Sequence, residues 1–316
     1  MMQKKLLVTM ISAALAGISY NAQADSHEPV FNVSGLAEVA LASTDEDDGK
    51  TDLYLDAVEL TVDGTVNEFI SFSTTLKYED DPDSDSDFNV DEAIIILGEE
   101  GGNVSLTLGM TGIPFGVIDG STWTGPLTDD FSDNTDDIAI LTLGAGAFGL
   151  EAYAFKADQE NDDNIENFGA NIGFEQNGLV LGAGFLNNIG NTEAFGQTEK
   201  SAAFRINASY TMGDIMVSAE HLQASKFDDL NGAKPSASHI ALDVGTDVIG
   251  APGVIALGYS TTDDAESMDL GESLLVASVS RELGDNAETI LEFTREEPYG
   301  NGDAVNTVNL VLSASF

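Results

Sequence analysis

The acidic run from Asp81 to Glu92 is the part of the sequence that most resembles a metal site. Carboxylates stand at its first, third, fifth and seventh positions and a Glu at its twelfth, namely Asp81, Asp83, Asp85, Asp87 and Glu92. This spacing is typical of the oxygen ligands in an EF-hand calcium loop. Ser86, however, stands at the sixth position, where the sharp turn of that loop requires Gly. The run predicts either a Ca²⁺ site or a solvated acidic loop, and no other cofactor is expected.

Three histidines, His27, His221 and His239, are the candidates for acid–base catalysis. A lipid hydrolase would need one of them beside a serine nucleophile. The spacing of His221 from other residues assigns it no such serine. The sequence therefore predicts no enzyme.

The charge balance limits the partners of the chain. Its 316 residues include 55 acidic and 11 basic side chains and no cysteine, for a formal net charge of −44. A nucleic-acid partner is excluded because phosphate backbones require Lys and Arg. Disulfides and cysteine-ligated metals are excluded by the lack of cysteine.

Residues 1–24 have the layout of a cleaved export signal. Lys4 and Lys5 precede the apolar stretch Leu6–Ile18, and Ala22 and Ala24 form a small-x-small cleavage site. We therefore expect residues 25–316 to form the exported domain, in the outer membrane of a Gram-negative bacterium.

Apolar and polar residues alternate with a period of two through the exported domain. Half-buried strands have this pattern, either in a soluble sandwich or in a membrane barrel. Ile138–Leu143 and Leu274–Val279 alternate less cleanly, so 14 or 18 strands stay open beside the sixteen that we place. The predicted strands span residues 30–42, 52–63, 69–79, 89–98, 103–112, 136–144, 148–157, 165–175, 178–187, 201–212, 214–224, 236–247, 252–262, 270–283, 287–296 and 303–316.

The connections between these strands favour the barrel. Short Gly/Asn turns alternate strictly with longer acidic loops, as in outer-membrane barrels with short periplasmic turns and long outer loops. A closed sheet also leaves no backbone donor unpaired in lipid. The chain ends in an alternating strand with Phe316 last, which is the form of signal that the barrel assembly machinery reads. We therefore predict an all-β, closed antiparallel transmembrane barrel.

Strand parity predicts which charged side chains face the lumen. Acidic residues predominate among them, and acidic rings favour cations. A generally acidic, salt-adapted surface would have the same effect on permeation. The predicted lumen residues are Glu38, Lys77, Asp91, Glu151, Glu175, Arg205, Glu220, Asp243, Glu288 and Glu292.

The third outer loop, residues 113–135, is the longest and is expected to fold into the lumen. Long structured loops are usually functional. Capping of the outer mouth is the alternative, and Trp123 can pack on the wall or lie at the rim. The predicted constriction residues are Pro114, Phe115, Asp119, Trp123, Asp129, Asp130 and Asp133.

Several short motifs between residues 30 and 155 resemble the LbtU family of siderophore porins. They are Asp52–Asp63, Val66-Asn67-Glu68, Val90-Asp91-Glu92-Ala93, Leu108-Gly109, Ile113-Pro114-Phe115-Gly116 and Gly125-Pro126-Leu127-Thr128. The resemblance implies a sixteen-stranded barrel that passes a ferric siderophore without an energised plug. The coiled-coil region that such proteins often carry before the barrel is not matched here, which puts the role it would supply in doubt.

The sequence as a whole predicts a porin that gives passive, cation-preferring diffusion of small solutes. A TonB-independent siderophore channel and a non-conducting structural or adhesion barrel are the alternatives. The expected partners are the outer membrane with its lipopolysaccharide, which divalent ions could bridge to the acidic loops, the barrel assembly machinery, and two further copies in a homotrimer.

Overall fold

Period-two alternation produces strands throughout the described part of the chain. The structure is a computed structural model that describes residues 30–45, 50–79, 88–99, 102–116, 120–156, 165–195, 200–227, 232–268, 270–300 and 302–316. Sixteen antiparallel strands form a closed barrel in which β1 pairs with β16. The predicted barrel and its strand number are confirmed.

The strand boundaries lie within a few residues of those predicted. A short helix, α1 (Leu127–Ser132), and a single 3-10 turn (Glu193–Phe195) lie in two of the loops. The strands are β1 (Val30–Thr44), β2 (Thr51–Asn67), β3 (Ile70–Glu79), β4 (Phe88–Gly98), β5 (Val104–Gly112), β6 (Thr135–Ala145), β7 (Phe148–Phe155), β8 (Asn167–Gln176), β9 (Leu179–Leu186), β10 (Ala203–Met212), β11 (Ile215–Ala224), β12 (Ser236–Val248), β13 (Ala251–Asp263), β14 (Ser273–Gly284), β15 (Ala287–Glu297) and β16 (Val305–Ser315).

The connections alternate in length around the whole barrel. Those after β2, β4, β6, β8, β10, β12 and β14 are short, and those after the odd-numbered strands are longer. One end of the barrel, the turn end, therefore carries the short turns, and the other, the loop end, carries the long loops. This alternation is that of an outer-membrane barrel.

The outer face of the barrel is apolar and carries aromatic pairs towards both ends. Leu141, Leu257 and Leu310 are among the large apolar side chains that are exposed there. The Phe148 and Phe174 rings lie 5.1 Å apart near the turn end, and those of Phe185 and Phe204 lie 5.2 Å apart near the loop end. Such aromatic belts mark the two membrane interfaces. No described helix is long and apolar enough to cross a membrane.

Two of the register shifts in the sheet have a charged residue as the extra one. The pairing of β1 with β2 shifts next to Glu38, where Asp56 is the extra residue, and that of β3 with β4 shifts where Asp91 is extra. A bulge of this kind reverses the phase of alternation along the strand. Leu53 and Leu55 face outward before the first bulge, whereas Val58, Leu60 and Val62 do so after it.

An apolar core lies inside the barrel, on the side of β6 to β12. Inner-face residues of these strands, such as Ile138, Phe155 and Leu222, pack with loop residues such as Phe131 and Phe195. This core explains the imperfect alternation of β6, because Ile138 and Ile140 point inward onto it. In β14, Leu274 and Val276 likewise point inward and contact Leu127 of α1.

Candidate pore constriction

The loop between β5 and β6 crosses the interior of the barrel. Its base is closed by the Ile113 N–H, which donates to the Asn134 carbonyl (2.9 Å). The Ser121 N–H donates to Oδ1 of Asp243 on β12 (3.3 Å), and the Ser278 hydroxyl of β14 donates to the Ser121 carbonyl (3.4 Å). The backbone of this loop, residues 113–134, therefore reaches the wall opposite its own base.

A single carboxylate, that of Glu292 on β15, holds the tip of this loop. Oε2 accepts a hydrogen bond from the Trp123 N–H (2.8 Å), and Oε1 accepts from the Thr124 N–H (3.0 Å) and hydroxyl (2.5 Å). The side chain of Glu292 is only 1 % exposed. Because charge-assisted hydrogen bonds are stronger than neutral ones, this contact fixes the backbone of the tip.

The Trp123 side chain packs on an apolar patch of the inner wall. Ala40, Ile290 and Val311 form this patch, and Tyr54 packs against it beside Trp123. The sequence allowed Trp123 to pack on the wall or to lie at the rim. In the structure it packs on the wall.

A cavity of about 380 Å³ lies beside the loop tip, along the wall formed by β1, β2 and β3. Three carboxylates and one ammonium line it, and Lys77 Nζ lies 3.9 Å from Glu59 Oε1. Its lining residues are Glu38, Asp56, Ala57, Glu59, Lys77, Trp123 and Thr124.

Sequence reasoning missed two of these carboxylates, Asp56 and Glu59. The bulge at Asp56 reverses the parity of β2, so a single count along the strand misassigns its faces. The sequence nevertheless indicates the bulge, because the large apolar residues of this strand change from odd to even positions between Leu55 and Val58.

The other predicted lumen residues lie along the inner face without forming one cluster. Glu151 Oε2 accepts a hydrogen bond from the Asn171 amide (3.1 Å). Arg205 Nε lies 2.6 Å from Glu220 Oε1, and the Glu220 side chain is fully buried. Glu175 lies near the turn end, as does Glu288, which lines a separate cavity there of about 520 Å³.

The predicted constriction residues have different positions in the loop. Pro114 contacts the wall, where its carbonyl accepts from the Asn171 amide. Phe115 is 2 % exposed in the apolar core and so does not line an aqueous passage. Asp129 and Asp130 lie in the first turn of α1, Asp133 follows it, and Asp119 lies outside the described residues.

The acidic run of the candidate Ca²⁺ site lies largely outside the described residues. Asp81, Asp83, Asp85 and Asp87 are all outside them. Glu92 is described, and its Oε2 accepts a hydrogen bond from the Thr111 hydroxyl (2.8 Å) on the neighbouring strand. Among the described residues, no group of three or more His, Asp or Glu side chains could hold a metal ion.

Two of the histidines contact serines on neighbouring strands. His221 Nδ1 lies 2.8 Å from Ser238 Oγ on the outer face, and His239 Nδ1 lies 2.9 Å from Ser260 Oγ on the inner face. In both cases the two residues stand directly opposite each other in the sheet. The serine partner of His221 could not be assigned from the sequence because strand register was unknown.

The closed barrel, its apolar outer face and its inward loop define an outer-membrane channel. Residues 11–298 match the family model described as Gram-negative porin, and the chain belongs to this family. Its fold is therefore that of an outer-membrane protein through which small solutes diffuse passively. The resemblance to the LbtU family is more specific than this match and stays a prediction.

Solved porins share the fold at low sequence identity. OmpT of Vibrio cholerae in its trimer form is 15% identical, with a TM-score of 0.67 over 92% of this chain and 100% of that one. An anion-selective porin from Comamonas acidovorans is 14% identical, with a TM-score of 0.67 over 92% and 100%. Salmonella typhi OmpF in complex with daunomycin is 11% identical, with a TM-score of 0.66 over 90% and 97%. No curated protein sequence matches the chain.

Proposed function

We propose that this porin gives passive, cation-preferring diffusion of small solutes. One observation carries the proposal: Glu38, Asp56 and Glu59 line the cavity beside the loop tip, and Lys77 is the one cation among the described residues that line it. Fixed charge at a narrow, low-dielectric passage attracts counter-ions and repels ions of its own sign. The fold alone does not determine this preference, since an anion-selective porin has a similar barrel.

The reversal potential in a KCl gradient across a planar bilayer tests the proposal. We expect a wild-type preference for K⁺ that is strong at ~0.1 M salt and weaker at 1 M, because the screening length falls from about 10 Å to about 3 Å. Glu38→Gln with Asp56→Asn should lower the K⁺/Cl⁻ permeability ratio severalfold. Glu282→Gln with Glu288→Gln, in the turn-end cavity, is the matched control and should change the ratio less.

Three outcomes would favour other functions. An anion-selective wild type would contradict the electrostatic argument and favour a siderophore channel in which Lys77 and Arg205 attract an anionic chelate. Block of the current by low concentrations of a ferric siderophore would identify the LbtU-type function. A folded protein without conductance would favour a structural or adhesion barrel.

We also propose that the barrel assembles as a homotrimer, for which OmpT of Vibrio cholerae in its trimer form gives support. A trimeric mass in mild detergent, lost on heating, is the expected result. A monomeric mass in the conducting preparation would contradict it.

A further inference from the structure

A second loop, after β9, also turns into the barrel, which the sequence did not predict. Phe195 is fully buried there. Its ring lies 5.1 Å from that of Phe131 in α1, edge to face, and 5.6 Å from that of Phe227, which follows β11. The Phe195 side chain thus joins the helix of the constriction loop (the loop between β5 and β6, residues 113–134) to the loop that follows β11.

Polar contacts keep the same segment against the constriction loop. The Thr192 hydroxyl donates to the Phe131 carbonyl (3.5 Å), and the Asn191 amide donates to Oδ1 of Asn134 (3.3 Å). The segment is itself held in shape, because Asn188 Oδ1 accepts from the N–H groups of Gly190 (3.1 Å) and Ser201 (3.4 Å). The Asn191 amide also donates to Oδ2 of Asp136 on β6 (3.4 Å). Residues 188–195 therefore contact both α1 and the strand that follows it.

We propose that residues 188–195 form a brace that fixes the constriction loop and keeps the pore open on one side only. The apolar core that the brace completes excludes water from the loop-end half of the lumen beside β6 to β12, because its inner-wall residues are dry. Phe155, Leu186 and Leu222, for example, are each at most 2 % exposed. Water and solutes then pass along β1, β2 and β3, where the cavity beside Trp123 lies.

The brace also has a mechanical consequence for the loop. Glu292 holds the loop at its tip, whereas Phe195, Thr192 and Asn191 hold it at its helix and base. A loop held at both places cannot swing across the cavity, so the channel should show few spontaneous closures. This expectation is independent of ion preference, and the proposal can therefore fail while the proposed function holds.

Single-channel recording tests the positioning role of the brace. Phe195→Ala should raise the frequency of closures at least tenfold, while the fully open conductance and the reversal potential stay as in the wild type. Phe148→Ala, which removes a ring from the lipid-facing wall, is the matched control and should leave closures unchanged. Thr192→Val, a milder change, should give a smaller rise in the frequency of closures. It replaces Phe195→Ala as the test if that variant does not fold. Wild-type gating in a folded Phe195→Ala barrel would overturn the proposal.

Cysteine accessibility tests the one-sided path, because the chain has no cysteine of its own. A charged methanethiosulfonate reagent should react with Glu38→Cys, at a partly exposed position that lines the cavity, and reduce the conductance. It should not react with Ala237→Cys, on the inner face of β12 in the apolar core. Comparable modification and block at both positions would show that solutes pass on both sides and would overturn the proposal.

Discussion

Glu292 accepts a hydrogen bond from the backbone N–H of Trp123 at 2.8 Å, although the two residues belong to opposite parts of the sequence. With the two bonds from Thr124, this contact makes one buried side chain the anchor of both Trp123 and Thr124 at the loop tip. A carboxylate suits this task because it accepts several bonds at once, whereas an amide offers only one acceptor oxygen.

Removing this anchor should therefore loosen the constriction. In Glu292→Ala the tip loses its acceptor, and each buried donor left unpaired costs about 1–3 kcal/mol. We expect noisier single-channel currents and a larger mean conductance, with Glu292→Gln intermediate. Glu288→Gln, four residues earlier on the same strand and the same face, is the control. Quiet wild-type currents from Glu292→Ala would mean that the tip is held elsewhere.

The buried pair of Arg205 and Glu220 should matter for stability. Arg205→Ala leaves the buried Glu220 carboxylate without its counter-ion, which is expected to cost about 3–5 kcal/mol. Urea unfolding in lipid vesicles measures the loss, and Arg205→Met with Glu220→Met should recover most of it. Lys200→Ala, in an exposed pair with Glu166, should cost less than about 1 kcal/mol. Equal losses in the two alanine variants would contradict this reasoning.

The barrel and its strand boundaries could be predicted because alternation and loop length are local properties of the sequence. The anchors of the constriction could not, because Glu292 and Trp123 meet only through the closure of the sheet. The imperfect alternation of Ile138–Leu143, which left the strand number open, reflects an apolar inner face rather than a different number of strands. An apolar residue on the inner face of a water-filled barrel indicates that something covers it, here α1 and the brace.

Gly109 should tolerate no side chain. Its φ is +138°, and a Cβ there would lie 2.1 Å from the Ala93 carbonyl oxygen of the neighbouring strand. Gly109→Ala must therefore displace backbone and is expected to destabilise the barrel by about 1–3 kcal/mol. Gly112→Ala, on the same strand with open space around its Cβ, is the control. Refolding and urea unfolding in detergent compare the two, and equal stability would refute the close approach.

Acid should weaken the contact between Asp45 and Asn306. The Asp45 carboxylate accepts bonds from the Asn306 side-chain amide (2.6 Å) and N–H (2.8 Å), and these bonds lower the pKa of Asp45. A lowered folded pKa stabilises the protein above the unfolded value of about 3.9, and this contribution disappears as the pH falls through the folded value. The difference in unfolding midpoint between wild type and Asp45→Asn should therefore be present at pH 6 and vanish in strong acid. A difference that persists there would rule out the carboxylate as its source.

Calcium binding by the acidic run stays a prediction with a direct test. A bound ion stabilises the folded state by mass action, so Ca²⁺ should raise the thermal midpoint of the wild type. Asp81→Asn with Asp83→Asn should abolish the increase, and Asp129→Asn with Asp130→Asn should keep it. An equal response in both double variants would reduce the run to a solvated loop.

The pairing of β1 with β16 runs from Leu36 and Ser315 to Thr44 and Thr307, residues from the two ends of the sequence. These contacts have the greatest sequence separation in the sheet, and such contacts are the slowest to form. Until they form, both strands are open edges that can pair with another chain. The pairing of β1 with β16 should therefore limit the rate of barrel formation. A substitution that disturbs this pairing should slow folding and promote aggregation more than the same change between two strands that are consecutive in the sequence.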